Sequence, residues 1–118
     1  MVSAIDSALS GLAAASRRIA VSSNNIANQF STQTRVDGQV VNRPFVPQRI
    51  DQVSIENGGI QSIERDVPHP VIRIYDPTNV AADGTGFVDA PNVDPAEELI
   101  NQRIASAWRR FERTSVGT

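Results

Sequence analysis

A chain of 118 residues and 12.8 kDa has material for one domain, and a domain of that size buries a limited core unless it borrows surface from neighbours. It contains no cysteine, which excludes disulfides and thiolate metal sites. Its eleven basic residues, every one an arginine, face thirteen acids for a net charge of −2, which excludes the positive excess expected of a nucleic-acid binder. No segment is long and apolar enough to span a membrane, and the opening has no basic leader, carries Asp6 early and reaches Arg17 and Arg18 without an unbroken apolar run. It does not read as a cleaved signal peptide, so any route out of the cytoplasm is expected to remove no leader.

In chain order, the first thirty residues form one helical pattern. Positions 2, 5, 9, 12, 16, 19, 23 and 26 step alternately by three and four and hold Val2, Ile5, Leu9, Leu12, Ser16, Ile19, Ser23 and Ile26, the spacing of a coiled-coil seam. Ala8, Ala13, Ala14, Ala15 and Ala20 crowd its flanks, leaving a narrow ridge of large residues among small ones. Ser3 is placed to cap the first turn, with Asp6 near the positive end of the helix dipole. Ser22, Ser23, Asn24, Asn25 and Asn28 compete with the backbone for hydrogen bonds and favour a helix end between residues 25 and 30.

Residues 31–42 are polar and contain Asp37-Gly38, the dipeptide of a tight turn, and read as a loop or short hairpin. Two strand-like runs follow, at residues 45–56 and 60–65, joined by Asn57-Gly58-Gly59. Pro44 and Pro47 cannot donate to a ladder and make the first run an edge or irregular strand. Residues 71–75 give a third run rich in β-branched side chains. Residues 75–94 are dense in Pro, Gly, Asp and Asn and read as an ordered loop anchored by Val80, Phe87 and Val93. Asp94 then supplies an N-cap, Pro95 occupies the first helical position and Glu97 completes a capping box. The second helix carries Ile100, Ile104, Ala107 and Phe111 at alternating steps of four and three, widened by Leu99 and Trp108.

The expected fold class is therefore α+β: long N-terminal and C-terminal helices pairing as an antiparallel coiled coil, around a small hairpin- and loop-rich middle. The pieces are residues 1–30, 31–94 and 95–118, in one structural domain.

The run SGLAAASRRIAVSSNNIANQ, ending in Asn24, Asn25, Ile26, Ala27 and Asn28, resembles the N-terminal signature of the flagellar axial proteins. The second half is similar to the proximal-rod branch of the flagellar basal-body rod family in Tyr75-Asp76-Pro77, Ala82-Asp83, Gly86-Phe87-Val88 and Pro91-Asn92-Val93-Asp94. The resemblance implies a non-enzymatic rod subunit of the bacterial flagellum, placed in the periplasmic shaft of the basal body and exported through the flagellar type III apparatus without processing. Its partners would be other rod subunits and further copies of itself, with no nucleic acid, small-molecule substrate, cofactor or metal. By position, Ile5, Leu9, Leu12, Ile19 and Ile26 would pack against neighbours from the first helix, and Ile100, Ile104, Ala107, Trp108 and Phe111 from the second. Asn24, Asn25 and Asn28 would end the first helix and hold the chain as it leaves.

The chain departs from that pattern in places. Residues 79–81 lack the family's usual proline, Leu99 stands where Met is common, Trp108-Arg109-Arg110-Phe111 is bulky and basic, and the apolar repeat stops after Phe111. A shortened paralogue that binds other axial proteins as a regulatory module is the alternative reading. On general grounds His69, the only histidine, reads as a solvated loop residue, and Asp76, Asp83, Asp89 and Asp94 lack calcium-loop spacing and read as turn and cap residues. Arg17-Arg18 and Arg109-Arg110 read as solvated helix faces, available to acids such as Glu97, Glu98 and Glu112 of adjacent subunits.

Overall fold

The computed structural model describes residues 2–56 and 59–117. Asn57 and Gly58 of the predicted turn lie outside the described residues, as do the side chains of Val2, Ser3 and Phe111, and with them the Ser3 cap and two seam positions. Helix α1 spans Val2–Ala27 and helix α2 spans Pro95–Gly117. Between them lie three separate antiparallel hairpins. These are β1 (Thr34–Val36) with β2 (Gln39–Val41), β3 (Gln48–Ser54) with β4 (Ile60–Asp66), and β5 (Val71–Tyr75) with β6 (Phe87–Pro91).

The local chemistry explains most boundaries. At the end of α1 the Asn28 side chain donates to the Asn24 carbonyl at 2.9 Å and to the Asn24 side-chain oxygen at 3.0 Å. This takes up a carbonyl that has lost its helical partner and turns the chain out. Asp37 and Gly38 both adopt positive φ, 51° and 81°, giving the β1–β2 hairpin the primed two-residue turn that matches strand twist. The α2 start follows the capping pattern: Ala96 N–H donates to the Asp94 carboxylate at 3.0 Å, and Glu98 N–H to the Asp94 carbonyl at 3.0 Å.

One expectation is corrected. Residues 87–91, read as part of a loop, form β6 and pair with β5 in the register Tyr75↔Phe87 through Val71↔Pro91. Their short β pattern is hidden by turn-forming neighbours on both sides. The second helix, expected over residues 95–118, runs through Gly117; the polar residues after Phe111 end the apolar repeat but add no proline or internal glycine that would break the helix.

The β3–β4 hairpin packs against α1, whereas β1–β2 and β5–β6 come close to no other helix or strand among the described residues. The molecule is consequently extended, 62 × 28 × 23 Å, with a radius of gyration of 18.2 Å against the roughly 13–14 Å of a compact chain this long. Among the described residues, Ile50 and Val88 are the large aliphatic side chains of the core; its other buried apolar side chains are alanines and prolines.

Candidate functional site

The helices run antiparallel, since Ser22 and Asn25 meet Glu98 while Gly11 and Ala15 lie with Ala105 and Trp108. Their contact is made by small and polar residues. Ala15, Ser22 and Asn25 of α1 are buried, with Ala105 opposite. The Ser22 hydroxyl donates to the Glu98 carbonyl at 2.8 Å, and Gln102 Nε2 to Ser23 Oγ at 3.0 Å. Positions 11, 15, 18, 22 and 25 have their own alternation of four and three, a second heptad beside the apolar one. Small and polar side chains thus bond the helices, Ser23 of the expected seam among them.

Asn25 is the junction of three elements. At 1% exposure its amide donates to the Gln48 carbonyl at 2.7 Å and to Glu98 Oε1 at 3.1 Å, while its side-chain oxygen accepts from Gln48 N–H at 3.0 Å. It therefore clamps the first residue of β3 to α1 and ties both to the first turns of α2. Ser10 does the same for β4, donating to the Ile60 carbonyl and accepting from Ile60 N–H, each at 2.7 Å. The two clamps are fifteen residues apart on α1, about 22 Å along its axis, close to the roughly 20 Å length of the seven-residue strands. Between them Arg17 pairs with Glu64 at 2.9 Å, so that arginine engages its own chain.

The exposed ridge lies on the remaining helix surface. Ile5 is 51% exposed and Leu9 47%. Leu12, Ile19 and Ile26 are half-buried on α1, and Ile100, Ile104, Ala107 and Trp108 are exposed on α2. Phe30, just beyond α1, is 84% exposed. Of the other motif residues, Asn24 and Ala27 are exposed and Asn28 half-buried.

The second motif cluster builds the connection between β5 and β6. The Asp83 carboxylate accepts from the Thr85 hydroxyl and amide at 2.6 and 2.8 Å, from the Phe87 amide at 3.1 Å and from the Arg73 guanidinium. The Thr85 hydroxyl is the largest cause holding this carboxyl well below the usual carboxylate range, followed by the Thr85 amide; the Phe87 amide and Arg73 add to it. Arg73 also reaches Asp89 at 3.5 Å and lies 5.5 Å from the Phe87 ring, which meets exposed Tyr75 edge-on at 5.4 Å.

Gly86 has φ 88°, and a Cβ there would come within 2.8 Å of the Tyr75 ring, so only glycine fits. Pro77 is exposed and packs 3.3 Å from that same point. Pro91 is buried at the end of β6, Asn92 donates to the His69 carbonyl at 2.9 Å, Val93 is half-buried, and Asp94 is the exposed helix cap. The Thr32 hydroxyl joins this loop to the end of α1 through the Asn79 side chain at 3.2 Å. Among the described residues no His, Asp and Glu side chains gather as a metal site.

Sequence reasoning missed Ser10 and the Arg73–Asp83 pair, and it read Glu98 as an acid for arginines of adjacent subunits where the side chain accepts from Asn25 of its own chain. Ser10 belongs to no apolar pattern, and the ion pair depends on the β5–β6 hairpin.

An antiparallel helix pair bonded through small and polar residues and clamped to a hairpin carries large apolar side chains on its exposed surface, the class of surface that marks an interaction site. Residues 5–33 match the family described as flagella basal body rod protein. The chain is 36% identical over 110 residues to the flagellar basal-body rod protein FlgC of Salmonella typhimurium, covering 90% of this chain and 80% of that one. It is 37% identical over 108 residues to FlgC of Yersinia enterocolitica, with the same coverage, and 32% over 134 residues to FlgC of Borreliella burgdorferi, covering 98% and 86%. The chain belongs to the flagellar basal-body rod protein family and is FlgC-like. Its role is structural rather than enzymatic, and its place is the flagellar basal body.

Proposed function

We propose that this chain is a subunit of the proximal rod, polymerising through its terminal helices with other rod subunits and with its own copies into the periplasmic drive shaft. In this reading it reaches the periplasm unprocessed, through the flagellar type III apparatus. The observation that carries the assembly is the exposed ridge. Ile5, Leu9, Ile100, Ile104 and Trp108 are large apolar side chains about half exposed on two neighbouring helices, an arrangement that marks an interaction surface. The total area supports it: the chain exposes 7985 Å² against about 6,300 Å² for a typical monomer of this mass.

The regulatory alternative draws its support from an apolar repeat that ends at Phe111, although α2 itself runs through Gly117. Deleting the gene tests the proposal. Loss of swimming, with basal bodies arrested before the distal rod and hook and restored by the wild-type gene, is the expected result, and normal flagella in the deleted strain would refute it.

A further inference from the structure

Helix α1 has two distinct faces. At 100° per residue Leu9 lies roughly 120–180° and Ile5 roughly 80–140° around the axis from Gly11, Ala15 and Arg18, which floor a groove, so the Ile5–Leu9 edge is turned away from it. That groove lies between α2 and the β3–β4 hairpin, walled by Ile60 on one side and by Ile104 and Trp108 on the other, with a volume of about 240 Å³.

Its size and charge match the Ile5–Leu9 edge. A cavity of about 150 Å³ takes a benzene molecule, so the groove has room for the ends of two aliphatic side chains. Ile5 and Leu9, four residues apart, form such a pair. Asp6 is the only charged residue in the first sixteen and is exposed beside them, while Arg18 lines the groove. Neither forms an ion pair among the described residues. The surface in excess of a typical monomer is about 1,700 Å², enough for two standard faces of about 800 Å² each.

We infer that the Ile5–Leu9 edge of one copy inserts into the groove of a second copy, with Asp6 against Arg18. Knob and groove are different surfaces, so the contact is heterologous. Each added copy presents a fresh groove, and the chain builds an open helix rather than a closed two-fold dimer.

The inference rests on the rod-subunit reading, and the test separates the two. The natural chain has no cysteine, so the double variant Leu9→Cys/Ile104→Cys, expressed in the deleted strain, gives no background. Swimming reports on the rod-subunit reading, and oxidation of isolated basal bodies followed by non-reducing electrophoresis reports on the contact. A ladder of dimers, trimers and higher multiples, absent from both single variants, is expected. Monomer alone from swimming cells, dimers from Leu9→Cys alone, or a band joining this chain to a protein of different mass overturns the inference and leaves the rod reading intact. If the double variant does not assemble, the charge pair decides: Asp6→Arg and Arg18→Asp should each stop swimming and their combination restore it, and failure of the combination overturns the contact.

Discussion

At the scale of single residues, Asn25 and Asp83 hold the most structure per atom. Asn25 uses both amide hydrogens and its oxygen on Gln48 and Glu98. Asn25→Ala would strand both backbone groups of Gln48, and a buried group left without a partner costs roughly 1–3 kcal/mol, so a loss of about 2–4 kcal/mol is expected in thermal or urea unfolding. Asn25→Asp should be no better, because it removes the donor to the Gln48 carbonyl and sets a second carboxylate beside Glu98. An asparagine at a helix end reads from sequence as a cap, which fits Asn24 and Asn28; Asn25 points 100° further round, and its partner Gln48 is set by tertiary packing that no local pattern encodes. For Asp83 the folded state favours the charged form, so its contribution is present above the ordinary value of 3.8 and is lost as the pH falls through the lower folded-state value. The gap in melting temperature between wild type and Asp83→Asn should therefore be constant above pH 5 and shrink steadily in acid below 3.8. A gap independent of pH would show that the loop is held by other contacts.

At the scale of elements, the fold is legible wherever one local signal suffices. The Asp37-Gly38 turn, the Asp94-Pro95 start of α2 and the strand runs all announce themselves through backbone chemistry. Strand β6 does not, since five residues between Gly86 and Asn92 are too few to outweigh their turn-forming flanks and pair only because β5 is already extended. The helices give both a correct and an incomplete reading. Their bounds follow from periodicity and end signals, but large apolar residues draw the eye to one seam, whereas the hydrogen bonds between the chain's own helices come from Ser22, Ser23 and Asn25, and Ala15 is buried beside them. The two stripes separate under substitution. Ala15→Leu overpacks the internal contact and should destabilise the purified chain by about 1–3 kcal/mol, visible as a lower melting temperature. Ala20→Leu, on the exposed side of α1, should change stability by less than about 0.5 kcal/mol. Equal effects at both positions would mean that the small-residue stripe is not the packing face.

At the scale of the whole molecule, the extended shape and small core have one cause: apolar material that a larger monomer would bury is carried on the outside of two helices. Only Ile50 and Val88 among the described large aliphatic side chains are buried, while Ile5, Leu9, Leu99, Ile100, Ile104 and Trp108 remain about half exposed. On the proposed rod reading those side chains would find their cover in neighbours, and burial of each would contribute about 1.5–3 kcal/mol when complete. Assembly would thereby supply stability that the isolated chain lacks. The most direct test compares thiol reactivity in the two states. Ile5→Cys and Ile100→Cys, each the only cysteine in an otherwise unchanged chain, should react readily with a maleimide in the purified subunit and be strongly protected in isolated basal bodies. Equal reactivity in both would contradict the claim that these helix faces hold the rod together.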